Sequence, residues 1–362
     1  MLEIWAEVEP NSTVALQSVA QLLRVRGTSE SLEKALAAYD RLLELRPNDY
    51  SIYRQQAEVE QQRGDTEAAI ALLLHYLEFV PDSGPALNQL AGLYQAQGKL
   101  EAAQATLEDA VILMDDPLGA ELGLIRLEAR RGLFDNSVRR LEALLDDELL
   151  PQPELQVLVV AMEIAVARGK IAEAMALCDR ANQLAENLMP PAQRIISVEG
   201  QKATMLMLLG RFDEALAAAD EVAAKLQPPM SQYVNFSYTS IHAAAGNREE
   251  FRRWAQASRD ARDQLPRFFA SIMALERAQI SIWDGNPDAA VVDIDTASAM
   301  LGQSILQVLL DSLSVSELYV NIARLYLDAG ATGKAQEKLE AVLRVYPGNA
   351  YAKLMLAKVL IA

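Results

Sequence analysis

The chain has 362 residues, of which 51% are hydrophobic, and its formal net charge is −17. A phosphate-binding surface needs clustered Lys and Arg, so this acidity argues against nucleic acid and anionic membrane surfaces as partners. The single cysteine excludes an intramolecular disulfide. The chain lacks a run of 18 apolar residues, so direct membrane insertion is not predicted. The first residues lack the regions of a signal peptide, and cytoplasm and bacterial periplasm both remain open as compartments. Because β-branched alternation is absent, we expect an all-α fold.

Residues 1–12 are predicted to be the tail of a preceding helix pair. LEIWAEVEP ends at Pro10 in the same way as LLELRP ends at Pro47 and LRVYP ends at Pro347. Proline lacks a backbone donor and stops a helix, so each of these segments has the composition of a second helix and its terminus.

The stretch from residue 50 to residue 132 repeats with a period of 34 residues, marked by Gly64, Gly98 and Gly132. A small residue follows each glycine by five positions, and a leucine follows it by nine: Ala69, Ala103 and Ser137, then Leu73, Leu107 and Leu141. Glycine suits the left-handed end of a helix, and a small side chain lets two helices approach. Each unit is therefore predicted to be a helix pair, and the fixed period indicates a repeat protein.

Two segments show the complete pattern, residues 50–83 (YSIYRQQAEVEQQRGDTEAAIALLLHYLEFVPDS) and residues 316–349 (SELYVNIARLYLDAGATGKAQEKLEAVLRVYPGN). They resemble tetratricopeptide repeats at Tyr53, Ala57, Gly64, Ala69 and Pro81, and at Tyr319, Ala323, Tyr326, Gly330, Ala335 and Pro347. The resemblance implies a right-handed α-solenoid, a superhelix of stacked antiparallel helix pairs. It extends over residues 1–362 as one domain of about nine helix pairs.

The remaining turn glycines are spaced less regularly along the chain: Gly27, Gly169, Gly210, Gly246, Gly285 and Gly330. Cys178 takes the position of the core leucine after Gly169, so we predict that it is buried. The unit around Gly246 departs most from the pattern, since Asn235 and Thr239 stand where apolar residues are expected. We expect this unit to pack irregularly.

Residues 350–362 (AYAKLMLAKVLIA) are predicted to form a terminal helix that resembles the first helix of a further repeat. Repeat arrays usually end in a helix with a polar outer face, but this one is crowded with apolar residues. Two hypotheses follow. Either the chain is a segment of a longer protein, or an authentic apolar terminal helix mediates self-association.

The sequence contains no recognisable catalytic, metal or cofactor site. Its only histidines, His75 and His242, are far apart, whereas zinc sites and histidine-activated nucleophiles need several convergent groups. Phosphate-binding loops of the GxxxxGK and GxGxxG types are absent. We therefore predict a protein that is not an enzyme and that needs no cofactor.

In tetratricopeptide-like arrays, the first helix of each pair lines a concave groove, and the resemblance places two different sets of residues there. The early set is mostly polar: Arg54, Glu58, Asn88, Gln95, Arg126 and Arg130. The later set is mostly apolar: Val159, Glu163, Val166, Met207, Leu208, Tyr233, Phe236, Ile272, Leu275, Gln279 and Trp283. The early set could hydrogen-bond an extended peptide, with a carboxylate held between Arg126 and Arg130. The later set either binds an apolar peptide or amphipathic helix, or simply packs against neighbouring helices.

Some tetratricopeptide proteins bind chaperone C-termini through a two-carboxylate clamp of Lys, Asn, Asn, Lys and Arg. This chain has Arg54, Glu58, Gln89, Gly119 and Gly123 at those positions, so a clamp is not expected. The predicted function is a non-catalytic interaction scaffold whose groove binds a protein or peptide partner. The alternative is an internal repeat segment of a larger machine, such as a bacterial envelope, polysaccharide-export or regulatory protein.

Overall fold

The computed structural model describes residue 9 and residues 11–146, 148–265, 269–310 and 314–361, and every regular element in these ranges is helical. The all-α prediction is confirmed. Most of the predicted N-terminal tail, residues 1–8 and 10, lies outside the described residues. The chain divides into two compact units. Unit 1 comprises Met1–Leu124 with Gln303–Val308, and unit 2 comprises Ile125–Gly302 with Leu309–Ala362.

Unit 1 is built from helices that pack in consecutive pairs. They are α1 (Thr13–Arg26), α2 (Ser29–Leu45), α3 (Ser51–Arg63), α4 (Thr66–Phe79), α5 (Gly84–Ala96) and α6 (Leu100–Leu113). Helix α1 packs on α2, α3 on α4, and α5 on α6, and each pair also contacts the next one. A further helix, α7 (Leu118–Arg130), begins in unit 1 and ends in unit 2.

Helices of the same kind follow α7, and they lie in unit 2 except for Gln303–Val308, which belongs to unit 1. They are α8 (Phe134–Asp146), α9 (Pro151–Ala167), α10 (Ile171–Ala185), α11 (Pro191–Arg194), α12 (Gly200–Leu208), α13 (Phe212–Lys225), α14 (Val234–Ala244), α15 (Arg248–Asp260), α16 (Phe269–Trp283), α17 (Pro287–Leu310), α18 (Ser314–Asp328), α19 (Thr332–Val345) and α20 (Ala350–Ile361). A π-helical segment, Ile195–Glu199, joins α11 to α12. Short 3-10 helices, Met230–Tyr233 and Arg262–Gln264, precede α14 and α16.

The nine predicted turn glycines all have left-handed backbone conformations, with φ between 68° and 86°. At Gly98, for example, the glycine N–H donates to the carbonyl of Gln95 at 2.9 Å, and the Lys99 N–H donates to the carbonyl of Tyr94 at 2.9 Å. These two bonds satisfy carbonyls that the end of α5 would otherwise leave without partners. The prediction that a glycine ends the first helix of each helix pair is confirmed.

The predicted small residues lie where paired helices cross. Ala69, Ala103 and Ser137 are fully buried, and the hydroxyl of Ser137 donates to the carbonyl of Ile125 at 2.9 Å. Cys178 is buried as predicted, and burial raises the pKa of its thiol to about 11. In the unit around Gly246, the small residue is replaced by Phe251, which is also buried. Apart from Phe251, these core residues thus follow the pattern of small and large side chains predicted from the repeat.

One contact in unit 2 joins turns that are far apart in sequence. The N–H of Gly348, in the turn before α20, donates to the carbonyl of Arg130 at 2.6 Å. A Cβ atom at position 348 would lie only 2.7 Å from that carbonyl oxygen, so the contact requires glycine. Repeats in a solenoid ordinarily contact only their neighbours, and this backbone bond is an addition to that scheme.

Candidate partner-binding surfaces

A half-buried cluster of charges lies on the first helices of unit 1. Arg54 donates through Nη1 to Oε1 of Glu58 at 2.8 Å, and both residues belong to α3. Arg24, on α1, places its Nη1 3.4 Å from the other carboxylate oxygen of Glu58. Two guanidinium groups therefore share one carboxylate, and all three side chains remain partly exposed.

Carboxamide groups continue this polar surface onto α5. The Nε2 of Gln89 donates to Oε1 of Gln61 at 3.0 Å, which links α5 to α3. Asn88 is exposed next to them, whereas Gln95 is buried. Of the two groove residues predicted on α5, Asn88 is accessible to a partner in this structure, and Gln95 serves the packing between helices.

The two arginines predicted to hold a carboxylate in unit 2 have different surroundings. Arg126 donates through Nε to Oε2 of Glu163 at 3.0 Å, a residue of α9 that also belongs to the predicted later set. Arg130 is buried. The carboxylate that Arg126 binds here is therefore one of the protein's own.

Three aromatic residues stack at the start of α14 and α16. The ring of Phe269 lies 4.7 Å from the ring of Phe236 and 4.9 Å from that of Tyr233, measured between centroids. Phe236 is buried, and Tyr233 is partly exposed. The structure thus brings together two residues of the predicted later set, and Phe269 joins them.

The other predicted apolar residues of unit 2 are at least partly packed against neighbouring helices, except Leu208, which is exposed. Leu275 is buried, and Met207 is partly buried against the core around α12 to α14. Trp283, also partly exposed, meets the ring of Phe251 edge-on at 4.9 Å, with the guanidinium of Arg248 5.3 Å from its ring. An aromatic–aromatic contact and a cation–π contact thus orient the indole.

Three residues of these surfaces, Arg24, Gln61 and Phe269, were not among those selected from the sequence. Arg24 and Gln61 stand three residues before Gly27 and Gly64, the same spacing that selected Gln95 before Gly98, so applying the rule at every turn would have found both. Phe269 precedes the first groove position of its repeat, and no positional signal marks it.

Metal-binding side chains do not cluster in the part of the chain that the structure describes. No group of three or more His, Cys, Asp or Glu side chains there could hold a metal ion. His75 has its Nδ1 3.0 Å from a Glu78 oxygen and packs edge-on against Tyr53 at 4.6 Å. None of the described helices combines the length and the apolar character that a membrane span requires.

Stacked helix pairs with left-handed glycine turns define a helical repeat protein. Models of the family described as "Tetratricopeptide repeat" match residues 22–90, 84–111 and 320–362. The chain therefore contains tetratricopeptide repeats in these segments. Such repeats generally bind protein partners, and the fold is typical of non-enzymatic interaction scaffolds. A search of curated protein sequences found no match.

Several solved structures are similar to this chain at low sequence identity. A tetratricopeptide repeat protein from Parabacteroides merdae is 14% identical and aligns over 72% of this chain and 98% of its own, with a TM-score of 0.48. Pseudomonas aeruginosa pilF is 17% identical over 57% of this chain and 89% of its own, with a TM-score of 0.41. Yeast Tom70 is 15% identical over 95% of this chain and 88% of its own, with a TM-score of 0.37.

Proposed function

We propose that the chain is a non-catalytic interaction scaffold whose unit 1 binds an extended peptide carrying an acidic group. The binding surface consists of the first helices α1, α3 and α5, and its centre is the cluster of Arg24, Arg54 and Glu58. The observation that supports this proposal is the sharing of one carboxylate by two arginines.

The charge of the cluster selects the chemistry of the partner. Two guanidinium groups and one carboxylate leave a surplus of one positive charge on an otherwise acidic chain. Arg24 and Arg54 are each held by a single ion pair in the described structure, and guanidinium has five N–H donors. An incoming carboxylate would find donors already oriented by Glu58.

The neighbouring carboxamides suit the backbone of the same peptide. Asn88 is exposed, and the amides of Gln61 and Gln89 orient each other. Each carboxamide offers both a donor and an acceptor, which are the groups that an extended backbone presents. Because helix packing holds these side chains in place beforehand, binding orders little of the scaffold.

Selection of random linear peptides against the full chain tests the proposal. We expect the enriched peptides to contain Asp or Glu side chains. We expect Arg54→Gln to weaken their binding by about tenfold or more, because a charge-assisted hydrogen bond contributes roughly 1.5–3 kcal/mol. Arg24→Gln should act in the same direction, as measured by isothermal titration calorimetry.

The matched control is Arg41→Gln, which removes an arginine paired with Glu44 on the second helix α2. This variant should bind the selected peptides as tightly as the unchanged chain. Enrichment of basic or purely apolar peptides would reject the acidic-peptide proposal, as would unchanged binding by the Arg24→Gln and Arg54→Gln variants. The later apolar residues Met207, Tyr233, Phe236, Leu275 and Trp283 stay a prediction for a second contact surface.

A further inference from the structure

Helices α14, α15 and α16 bury an unusual number of polar side chains. Seven of the fourteen buried polar or charged residues that the structure describes lie here, so the junction differs from the alanine- and leucine-lined crossings elsewhere. They are Asn235, Thr239, His242, Ser258, Ser271, Glu276 and Gln279. Burying such groups is costly unless each one finds a hydrogen-bond partner.

Glu276 is the most demanding member of this group. It lies on α16 and is only 5% exposed, and neither of its carboxylate oxygens has a hydrogen-bond partner among the described residues. The hydroxyl that faces it, on Thr239 of α14, donates its own proton to the carbonyl of Phe236 at 3.0 Å. The hydroxyl of Ser258, on α15, is likewise buried without a partner in the described structure.

The two cations that face Glu276 make their hydrogen bonds to other residues. Arg259, on α15, donates through Nε and Nη2 to the neutral carboxamide of Gln256 at 3.2 and 2.7 Å, and its Nη1 is buried without a partner in the described structure. Arg277, next to Glu276 on α16, donates through Nε and Nη2 to Asp293 of α17 at 3.0 and 2.8 Å. Neither arginine forms an ion pair with the glutamate in the described structure, although the charge of each lowers its pKa. A buried carboxylate without a hydrogen-bonded partner is strongly unfavourable.

The remaining titratable group of the junction interacts with a different set of charges. His242, on α14, is buried, and burial lowers its pKa, with Glu250 and Arg253 of α15 as the charges that face it. The charged groups that act on Glu276 are Arg259 and Arg277. Burial raises the pKa of Glu276 to about 7, against the opposing influence of Thr239 and the two arginines.

We propose that α14, α15 and α16 form a proton-linked joint, which is packed closed around the neutral carboxyl group of Glu276 and loosens when that group releases its proton to solvent. Loss of the proton leaves a buried carboxylate without a hydrogen-bond partner, and water that enters between the helices hydrates it. The ordinary pKa of a glutamate side chain is 4.5, and in the closed form it is about 7. Between these two pH values the closed form therefore keeps a proton that the open form loses. The stability that this proton contributes is complete below pH 4.5 and is lost as the pH rises through about 7.

The joint also predicts a change in partner binding. This second prediction rests on the proposed interaction function, whereas the joint itself does not. Phe236 on α14 and Leu275 on α16 are both predicted partner residues, and both are buried in the closed form. Loosening would expose them to an apolar partner. Binding at this second surface would then increase as the pH rises through neutrality.

Hydrogen–deuterium exchange on the full chain tests the joint without any partner. After correction for the intrinsic chemical rate, the opening of α14 to α16 should rise roughly twentyfold between about pH 5.5 and pH 7.5. Glu276→Gln keeps the shape of the neutral side chain and should abolish this rise. Parallel pH profiles for the two chains would overturn the proposal.

Glu128→Gln is the matched control, because Glu128 is equally buried but has a partner, Arg140, at 3.0 Å. It should leave the pH profile of α14 to α16 unchanged. A second measurement, the NMR titration of the Glu276 carboxyl carbon in the unchanged chain, does not depend on the folding of any variant. A midpoint near 7 supports the joint, and a midpoint near 4.5 overturns it. Neither result depends on whether the acidic-peptide proposal holds.

Discussion

Gly92 and Gly98 belong to the same repeat and place opposite demands on an added side chain. Gly98 ends α5 with φ of 72°, a conformation that costs an L-residue about 1–2 kcal/mol. Gly92 lies inside α5, where an added Cβ would have no atom within 4 Å. Gly98→Ala should therefore lower the free energy of unfolding by about 1 kcal/mol. Gly92→Ala should raise it by roughly 0.5–1 kcal/mol, because alanine favours a helix over glycine.

Urea unfolding of the two variants measures both effects, and each serves as the control for the other. Equal destabilisation by both substitutions would mean that packing around α5, and not the backbone conformation of Gly98, limits stability there.

Residue-level rules predicted the framework more fully than the binding surface, for a physical reason. A turn glycine and a small crossing residue are dictated by local sterics, so Gly64 and Ala69 could be recognised from spacing alone. The exposure of a groove residue depends instead on how neighbouring helices pack. Arg54 and Gln95 satisfied the same positional rule, yet Arg54 is partly exposed and Gln95 is buried.

At the scale of the element, α20 exposes a side that other first helices bury. Ala357 and Leu360 lie 34 residues after Ala323 and Tyr326 of α18, which are both buried against neighbouring helices. Ala357 is exposed, and Leu360 and Ile361 are 66% and 87% exposed. An apolar helical surface of this kind favours association.

We expect this surface to make the chain self-associate. Leu360→Glu should lower the average mass measured by light scattering across a concentration series, because it places a charge in the apolar contact. Lys353→Glu, an exposed position on the same helix, should change the mass much less. A chain that stays monomeric at every concentration, with or without Leu360→Glu, would rule out self-association through α20.

At the scale of the whole molecule, the single continuous solenoid expected from the sequence and the two compact units predict different unfolding behaviour. Leu73 is fully buried in unit 1, and Leu158 is fully buried in unit 2. Truncating either one to alanine should cost about 2–5 kcal/mol through lost burial and the cavity left behind. Because repeats are stabilised mainly by their neighbours, the site of the truncation should decide which helices open.

Hydrogen–deuterium exchange of the two variants separates these possibilities. If the units unfold independently, Leu73→Ala should accelerate exchange in α3 to α6 and leave α9 to α13 unchanged. Leu158→Ala should do the reverse, so each variant is the control for the other. Acceleration of all helices by both variants would instead show one cooperative solenoid. In that case a proton released at Glu276 would also affect the peptide surface of unit 1, since the two would then share one unfolding equilibrium.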